Sequence, residues 1–158
     1  MAAPAVTARQ APTGRMLEDG FSSVYAFSRD PNVNLWEKTV TPVGIDGGDA
    51  IDVTTMHNDN WRTFAPRTLR TLTEGSFTAA YDPICYNEIL QMINIEQAIT
   101  QHLPDGSSVA FYGYLRVFEP NELSEGEHPE ATVTIQPTNR DPTTGAEEAP
   151  VVTLVAGT

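Results

Sequence analysis

The sequence predicts a mainly β fold: a β-sandwich or curled barrel of about seven strands with one packed α-helix. The chain has 158 residues, of which 40% are hydrophobic, enough for one domain with a real core. Twelve prolines and eleven glycines divide it into short segments, and most of these alternate apolar and polar residues as strands do. A single stretch, residues 82–94, changes to the helical period.

The first half of the chain predicts strands separated by one long loop. Residues 1–20 are rich in Ala, Pro, Thr and Gly and are predicted to be a flexible N-terminal segment, with residues 21–158 as the single β domain. FSSVYAF (21–27) is aromatic and β-branched. NLWEKTVT (34–41) alternates; the predicted faces are Leu35, Glu37, Thr39 and Thr41 against Trp36, Lys38 and Val40. Beyond the loop, an alternation from Leu69 continues past Gly75.

DPICYNEILQMIN (82–94) is the predicted helix. Asp82 is placed as the N-cap, Pro83 fits the first helical position, and Asn94 suits the C-terminal end. Cys85 and Met92 flank the predicted buried stripe, so Cys85 is interpreted as a small core residue. The stripe itself has the i, i+3, i+4, i+7 spacing and comprises Tyr86, Ile89, Leu90 and Ile93.

The second half predicts four more strands. The first, residues 97–103, is followed by an Asp105-Gly106 turn. The long aromatic strand 108–120 is expected to bury one face, which carries Val109, Phe111, Gly113, Leu115 and Val117. The closing strands are 131–137 and 151–155, and the long predicted loops are 42–61, 119–130 and 138–150.

The charge balance excludes several classes of protein. The formal net charge is −12 and Lys38 is the only lysine, so binding nucleic acid by charge attraction is not expected. One cysteine excludes an internal disulfide. No apolar run approaches the roughly 18–20 residues of a membrane span, and the N-terminus lacks a signal-peptide core. We therefore expect a soluble chain made in the cytoplasm, without a membrane partner.

No recognised catalytic or metal-binding spacing is present, so the sequence predicts neither an enzyme nor a cofactor. Acidic residues recur every three positions in residues 46–52, whereas an EF-hand loop needs them every two. His57, His102 and His128 are scattered, so no zinc set is recognisable. There is no phosphate-binding glycine loop and no GxSxG elbow. A casual Ca²⁺ site and a pair of catalytic carboxylates both stay open as alternatives.

The loops instead suggest contacts between copies of the chain. The only basic cluster follows the first long loop, and residues 119–130 hold five glutamates without Lys or Arg. Such segments can meet in a head-to-tail assembly, although both can also simply be solvated. Trp61 is the better interface candidate of the two tryptophans. The predicted subunit-interface residues are Asp46, Gly47, Gly48, Asp49, Asp52, His57, Trp61, Arg62, Arg67, Arg70, Glu125 and Glu127.

Several segments, in this order, resemble the major tail tube proteins of long, non-contractile-tailed bacteriophages (siphoviruses). Together they cover most of residues 34–151. They are NLWEKTVTPVGIDGGDAIDVTTMHN (34–58), AYDPICYNEILQMIN (80–94), LPDGSSVAFYGYLRVFEP (103–120), EGEHPEATVTIQPTNRDP (125–142) and EEAPV (147–151).

The resemblance implies a structural protein of the virion tail, assembled in the host cytoplasm. Six copies would form a ring, and stacked rings would form a tube with an acidic channel through which viral DNA passes unbound. Other tail proteins, namely the tape measure, tail terminator and distal tail proteins, would be partners, and no C-terminal Ig-like domain is expected. Glu37 and Glu74 are the predicted lumen-facing residues. The alternatives are a tail terminator or capsid decoration protein, or a soluble carbohydrate- or Ca²⁺-binding β-sandwich.

Overall fold

The computed structural model describes residues 23–154, in which one antiparallel sheet and one helix dominate. The predicted class is thereby confirmed, while the predicted flexible segment 1–20 lies outside the described residues. The elements, in chain order, are β1 Val24–Phe27, β2 Leu35–Thr41, β3 Ile45–Asp46, β4 Ile51–Asp52, β5 Phe64–Ala65, β6 Thr71–Leu72, β7 Gly75–Tyr81, α1 Cys85–Met92, β8 Gln97–His102, β9 Ser108–Pro120, β10 Glu130–Pro137 and β11 Val151–Thr153.

The main sheet has seven strands: six follow the order β1-β8-β9-β10-β7-β2, and β11 pairs with β9 beside this path. The sheet curls until β1 and β2 approach each other. From the β1 edge, the Tyr25 hydroxyl donates a hydrogen bond of 2.9 Å to the Thr41 carbonyl at the end of β2. The Tyr25 and Phe27 rings lie 5.6 and 6.2 Å from the ring of Phe77 on β7. Burial raises the pKa of Tyr25 to about 12. The sheet is therefore a curled barrel whose interior is filled by side chains.

Strict alternation places the core on one face of the central strands. On β10, Ala131, Val133 and Ile135 are fully buried, and the residues between them are half-buried. The predicted inner face of β9 is confirmed at Phe111 and Leu115, both of which are buried. It is wrong at Val117, because the register with β10 shifts just beyond Leu115 and Phe118 packs against the core instead. Because successive side chains of a strand point to opposite faces, a two-residue period is enough to assign the buried side.

A bulge in β2 makes the predicted faces of that strand wrong beyond its middle. The pairing of β2 with β7 shifts register between Glu37 and Thr39. An inserted residue reverses the facing of every later side chain. Leu35 is buried and Val40 packs against the core, whereas Thr39 is exposed.

Helix α1 forms where predicted, but it buries a different stripe. The buried residues are Cys85, Ile89 and Met92, while Tyr86 and Leu90, which were predicted to be buried, are exposed. The sequence carries two overlapping apolar stripes that share Ile89, and packing on the sheet selects the second. The Tyr86 ring instead packs edge-on against the rings of Tyr81 and Phe118. These two rings also pack edge-on against each other.

The ends of α1 carry the predicted residue types, but the helix begins later in the chain than predicted. The helix begins at Cys85, two residues beyond Pro83. Asp82 is therefore not the N-cap, although its carboxylate accepts a 3.0 Å hydrogen bond from the Ile84 N–H. Asn94 follows the last turn with φ of 58°, the left-handed conformation that asparagine tolerates. Its N–H donates to the Leu115 carbonyl at 2.9 Å, which ties the helix end to β9.

Candidate assembly surfaces

The predicted loop 42–61 is part of a hairpin that extends from the sheet between β2 and β7. At its base β3 pairs with β6, and farther out β4 pairs with β5. We call residues 45–71 the arm. The predicted alternation from Leu69 forms two strands, the short β6 and the longer β7. The arm was mistaken for a loop because neither of its faces is buried, so its residues show no alternation.

The arm is held in shape by hydrogen bonds. The Thr73 N–H donates to the Gly44 carbonyl at 2.8 Å, which closes the base. At the tip, the Val53 N–H donates to the Thr63 carbonyl at 3.0 Å. The Asn58 amide Nδ2 donates to the Trp61 carbonyl at 2.8 Å. The arm therefore has a defined backbone path rather than that of an irregular loop.

No residue of the arm is buried; Asn58 and Ala65 are half-buried and all others are exposed. Among the residues that the structure describes, fifteen large hydrophobic residues are exposed, and seven of them lie on the arm. Because contiguous exposed apolar patches mark contact surfaces, the arm is a candidate for contact with another molecule. The seven are Ile45, Ile51, Val53, Met56, Trp61, Phe64 and Leu69, with Met56 at 100% and Trp61 at 84% exposure.

A shallow cleft on the arm combines apolar and cationic groups. It is lined by Gly47, Gly48, Ala50, Phe64, Ala65, Pro66, Arg67 and Arg70. The Arg67 Nε donates to the Asp49 carbonyl at 2.8 Å, which fixes this side chain across the cleft. Gly48 has φ of 80°, and a Cβ there would lie 2.8 Å from the Arg67 Cδ. A glycine at this position therefore lets the arginine lie flat along the arm.

Most other predicted interface residues of the arm are engaged with each other. The Asp46 carboxylate accepts from the Gly48 N–H at 2.8 Å. The Arg62 guanidinium lies 3.5 Å from the Asp52 carboxylate, whose pKa is lowered by hydrogen bonds from the hydroxyl and N–H of Thr54. His57 is exposed. The arm thus brings ten of the twelve predicted residues onto one hairpin.

The other two predicted residues lie on the connection between β9 and β10. We call residues 121–129 the glutamate loop. Glu125 and Glu127 are exposed, and the Glu127 N–H donates to the Ser124 carbonyl at 3.3 Å in a turn that contains Gly126. Leu123, which sequence reasoning did not single out, is 68% exposed. The sequence offered one signal for this residue, namely an apolar side chain among glutamates in a predicted loop.

Strand register places the arm and the glutamate loop at opposite ends of the sheet. β10 runs antiparallel to β7, with Glu130 opposite Ala80 and Ile135 opposite Gly75. The glutamate loop leads into β10 at Glu130, whereas the arm returns to β7 at Gly75. Five residues separate these pairs, about 17 Å along an antiparallel strand. The two surfaces of one chain therefore cannot meet.

The two predicted lumen-facing glutamates have different environments. Glu37 is half-buried, and burial raises its pKa although the Tyr25 N–H donates to its carboxylate. Glu74 is exposed and lies 3.1 Å from the Arg116 guanidinium. In the isolated chain Glu37 lies half-buried near Tyr25, at the contact between the two sheet edges, and Glu74 forms a surface ion pair. Whether either carboxylate faces a channel stays a prediction.

The described residues bear on two kinds of site: a metal-ligand cluster and a reactive thiol. Within residues 23–154, no three His, Cys, Asp or Glu side chains lie together as metal ligands do. Burial raises the pKa of the Cys85 thiol to about 11, which suppresses the reactive thiolate. In the same part of the chain, no helix has the length and apolar character to cross a bilayer.

The fold of this chain is similar to that of proteins of known structure. One is a chain from the virion of a native gene transfer agent (GTA) particle, with a TM-score of 0.59, 12% identity, and coverage of 89% of this chain and 100% of that chain. Another is a chain of the six-fold symmetrised anti-feeding prophage (AFP) baseplate, with a TM-score of 0.56, 10% identity, and coverage of 96% and 97%. Such identities establish the fold alone. No protein-family model and no curated protein matches the chain.

Proposed function

We propose that this chain is a structural subunit of a phage-type tail, and specifically of its tube. Copies join into rings, and rings stack around a channel for viral DNA. Two matches support the tail assignment: the fold is that of chains in a GTA virion and in an AFP baseplate. The six-fold symmetry of that baseplate supports six copies per ring.

The observation that carries the proposal is an arm that has a fixed backbone path and no core of its own. A two-stranded hairpin alone is only marginally stable in water. Met56, Trp61 and Leu69 are each more than 80% exposed in the isolated chain. Packing against a neighbouring copy would bury these side chains and offset the cost of holding them in place.

The charge of the chain supports a passive channel. A net charge of −12 repels phosphates, so DNA slides through without specific binding. Glu37 and Glu74 are the proposed channel-facing groups. The proposed partners are further copies of the chain, a tape measure protein inside the tube, and terminator and distal tail proteins at its ends. The proposed place of action is the virion tail, after assembly in the host cytoplasm.

Electron microscopy of the purified protein over a concentration series, beside light scattering, tests this proposal. We expect hollow tubes or stacked rings with a central channel. Single closed rings or trimers that never stack would favour a terminator or decoration protein. A monomer at every concentration, stabilised thermally by Ca²⁺ or a glycan, would contradict the proposal and favour a binding module.

An arm-replacement variant separates folding from assembly. Residues 47–70 are exchanged for a two-residue Asn-Gly turn, because Asp46 pairs directly with Thr71 and such turns suit a hairpin. We expect a folded monomer that forms no tubes. Slow reaction of Cys85 with a thiol reagent verifies folding, since that side chain is fully buried in the body of the protein. Normal tubes from this variant would contradict a role for the arm.

A further inference from the structure

The cleft of the arm and the glutamate loop have complementary chemistry and lie at opposite ends of the sheet. We propose that the cleft of one copy binds the glutamate loop of a second copy, head to tail. This inference rests on the proposed function, and it names the two surfaces that meet. Leu123 enters the apolar part of the cleft, and Glu122 and Glu125 bind the two arginines.

The two arginines of the cleft are available for such a contact. Elsewhere in the described part of the chain, Lys38, Arg62, Arg116 and Arg140 each pair with a carboxylate, whereas Arg29 does not. Arg67 uses its Nε on a backbone carbonyl, which leaves the two terminal nitrogens of its guanidinium directed elsewhere. Arg70, like Arg67, forms no ion pair with a carboxylate of residues 23–154. Guanidinium groups bind carboxylates in a paired, directional geometry.

The glutamate loop supplies the matching anions. Glu122, Glu125 and Glu127 are exposed and form no ion pair within residues 23–154. The loop contains no lysine or arginine, so it has no cation of its own. Its turn is ordered by hydrogen bonds at both ends, with the Asn121 N–H donating to the Glu130 carbonyl at 2.8 Å. An ordered anionic turn loses little conformational entropy on docking.

The apolar groups of the two surfaces match as well. Leu123 projects from the glutamate loop at 68% exposure, and Phe64 borders the cleft at 58% exposure. Contact between them would remove apolar area from water, which provides affinity, while the charged groups around it set orientation. A leucine with glutamates one position before it and two positions after it therefore matches the apolar and cationic groups of this cleft.

Two carboxylates of the arm oppose a simple attraction of charges. Asp46 and Asp49 lie beside the cleft, so its net charge is close to neutral. The Asp46 carboxylate is already engaged with the Gly48 N–H. The contact must therefore depend on the positions of the individual guanidinium groups rather than on a basic field. We expect lysine substitutions of both arginines to weaken assembly, since lysine lacks the paired geometry.

The placement of the two surfaces makes the contact heterologous. Within one chain they leave opposite ends of β7 and β10, so the partner must be another copy. A contact between two different patches leaves the complementary patch of each copy free for the next copy. Such a contact therefore propagates, as growth of a ring or a stack requires.

Charge reversal on each side tests the pairing. We expect the arm-reversed variant (Arg67→Glu, Arg70→Glu) and the loop-reversed variant (Glu122→Arg, Glu125→Arg) each to raise the assembly concentration more than about tenfold. An equimolar mixture should assemble again, because every contact then joins opposite charges. Wild-type assembly by the arm-reversed variant, or failure of the mixture while both variants keep Cys85 protected, would overturn the inference.

We call two variants that each keep only one of the two surfaces the capped pair. This pair distinguishes failure of this inference from failure of the proposed function. The arm-replacement variant offers only the glutamate loop, and the loop-reversed variant offers only the cleft. We expect them to form a one-to-one dimer in analytical ultracentrifugation, even under conditions where the wild type forms no tubes. Wild-type tubes without this dimer at high concentration would overturn the inference alone. A dimer without wild-type tubes would contradict the tube proposal alone.

The apolar part of the contact has its own matched control. Leu123→Ser should weaken the capped dimer more than about tenfold. Leu90→Ser changes a leucine of similar exposure, 71% on the outer face of α1, and should leave the dimer unchanged. Equal effects of the two substitutions would mean that Leu123 does not enter the cleft.

Discussion

The main sheet with α1, which we call the body, and the arm use the same antiparallel pairing. Only the body buries side chains. Along β7 every second residue is buried, from Gly75 to Tyr81. Along the arm none is, although backbone hydrogen bonds of ordinary length, 3.0 and 3.1 Å, join its residues near the tip. Hydrogen bonds fix a shape but contribute little net stability in water. The body therefore has a core of its own, whereas the arm leaves its apolar side chains exposed.

The largest expected contrast comes from two phenylalanines. Phe77 is 2% exposed in the body, and Phe64 is 58% exposed on the arm. Phe77→Ala should lower the free energy of unfolding by about 3–5 kcal/mol, since it leaves a cavity in the core. Phe64→Ala should change it by less than about 0.5 kcal/mol but impair assembly. Urea unfolding and electron microscopy measure the two effects.

One result would contradict the predicted contrast between Phe77→Ala and Phe64→Ala. A large loss of stability in the Phe64→Ala monomer would show that the arm packs on the body. Both variants should be measured in the arm-reversed background, where assembly does not add to the apparent stability.

Two glycines give a smaller contrast. A Cβ on Gly113 of β9 would lie 2.7 Å from the Gln136 carbonyl oxygen, whereas one on Gly47 of the arm meets nothing within 4 Å. Gly113→Ala should therefore cost about 1–3 kcal/mol, because neighbouring backbone must move. Gly47→Ala should cost less than about 0.5 kcal/mol. Thermal unfolding of both variants measures the difference, and equal melting temperatures would contradict it.

The smallest effect concerns Glu37 and pH. Burial raises the pKa of Glu37 above its ordinary 4.5, so the folded state favours the protonated form. Glu37 therefore contributes its full share to the stability of the folded state below pH 4.5, and this share is lost as pH rises through the raised pKa. Solvent screening of a half-buried group keeps the effect small. Glu37→Gln should raise the melting temperature by about a degree or two at pH 7 and leave it unchanged at pH 3.5.

An exposed glutamate serves as the control for that pH profile. Glu119→Gln, at the exposed end of β9, should show no such difference between the two pH values. An identical profile for wild type and Glu37→Gln would mean that burial of this carboxyl does not affect stability.

The fold was predictable where one face of a strand is buried. Alternation in β9 and β10 identified inner residues such as Leu115 and Val133 because burial imposes a two-residue period. The β2 bulge at Lys38 left no sequence signal, since an inserted polar residue looks like ordinary alternation. The stripe of α1 was ambiguous because apolar residues occupy two adjacent helical faces, and packing on the sheet decides between them.

The candidate surfaces were predictable in composition but not in position. The charged clusters, from Arg67 on one segment to Glu125 on another, are visible in the sequence. Their separation to opposite ends of the sheet depends on the pairing of β7 with β10, a long-range register that local patterns do not determine. The pairing of β3 with β6 and of β4 with β5 was missed for the same reason.

The two ends of the domain differ, and this gives any polymer built through both of them a direction. One terminus of such a filament presents arms and the other presents glutamate loops, so the two termini add subunits at different rates. Where the rotation between copies does not close a ring, each added copy restores the terminus that it covered, because a heterologous contact then continues from copy to copy. Nothing in the subunit therefore stops elongation along that direction. A filament of defined length needs a separate molecule that measures or caps it.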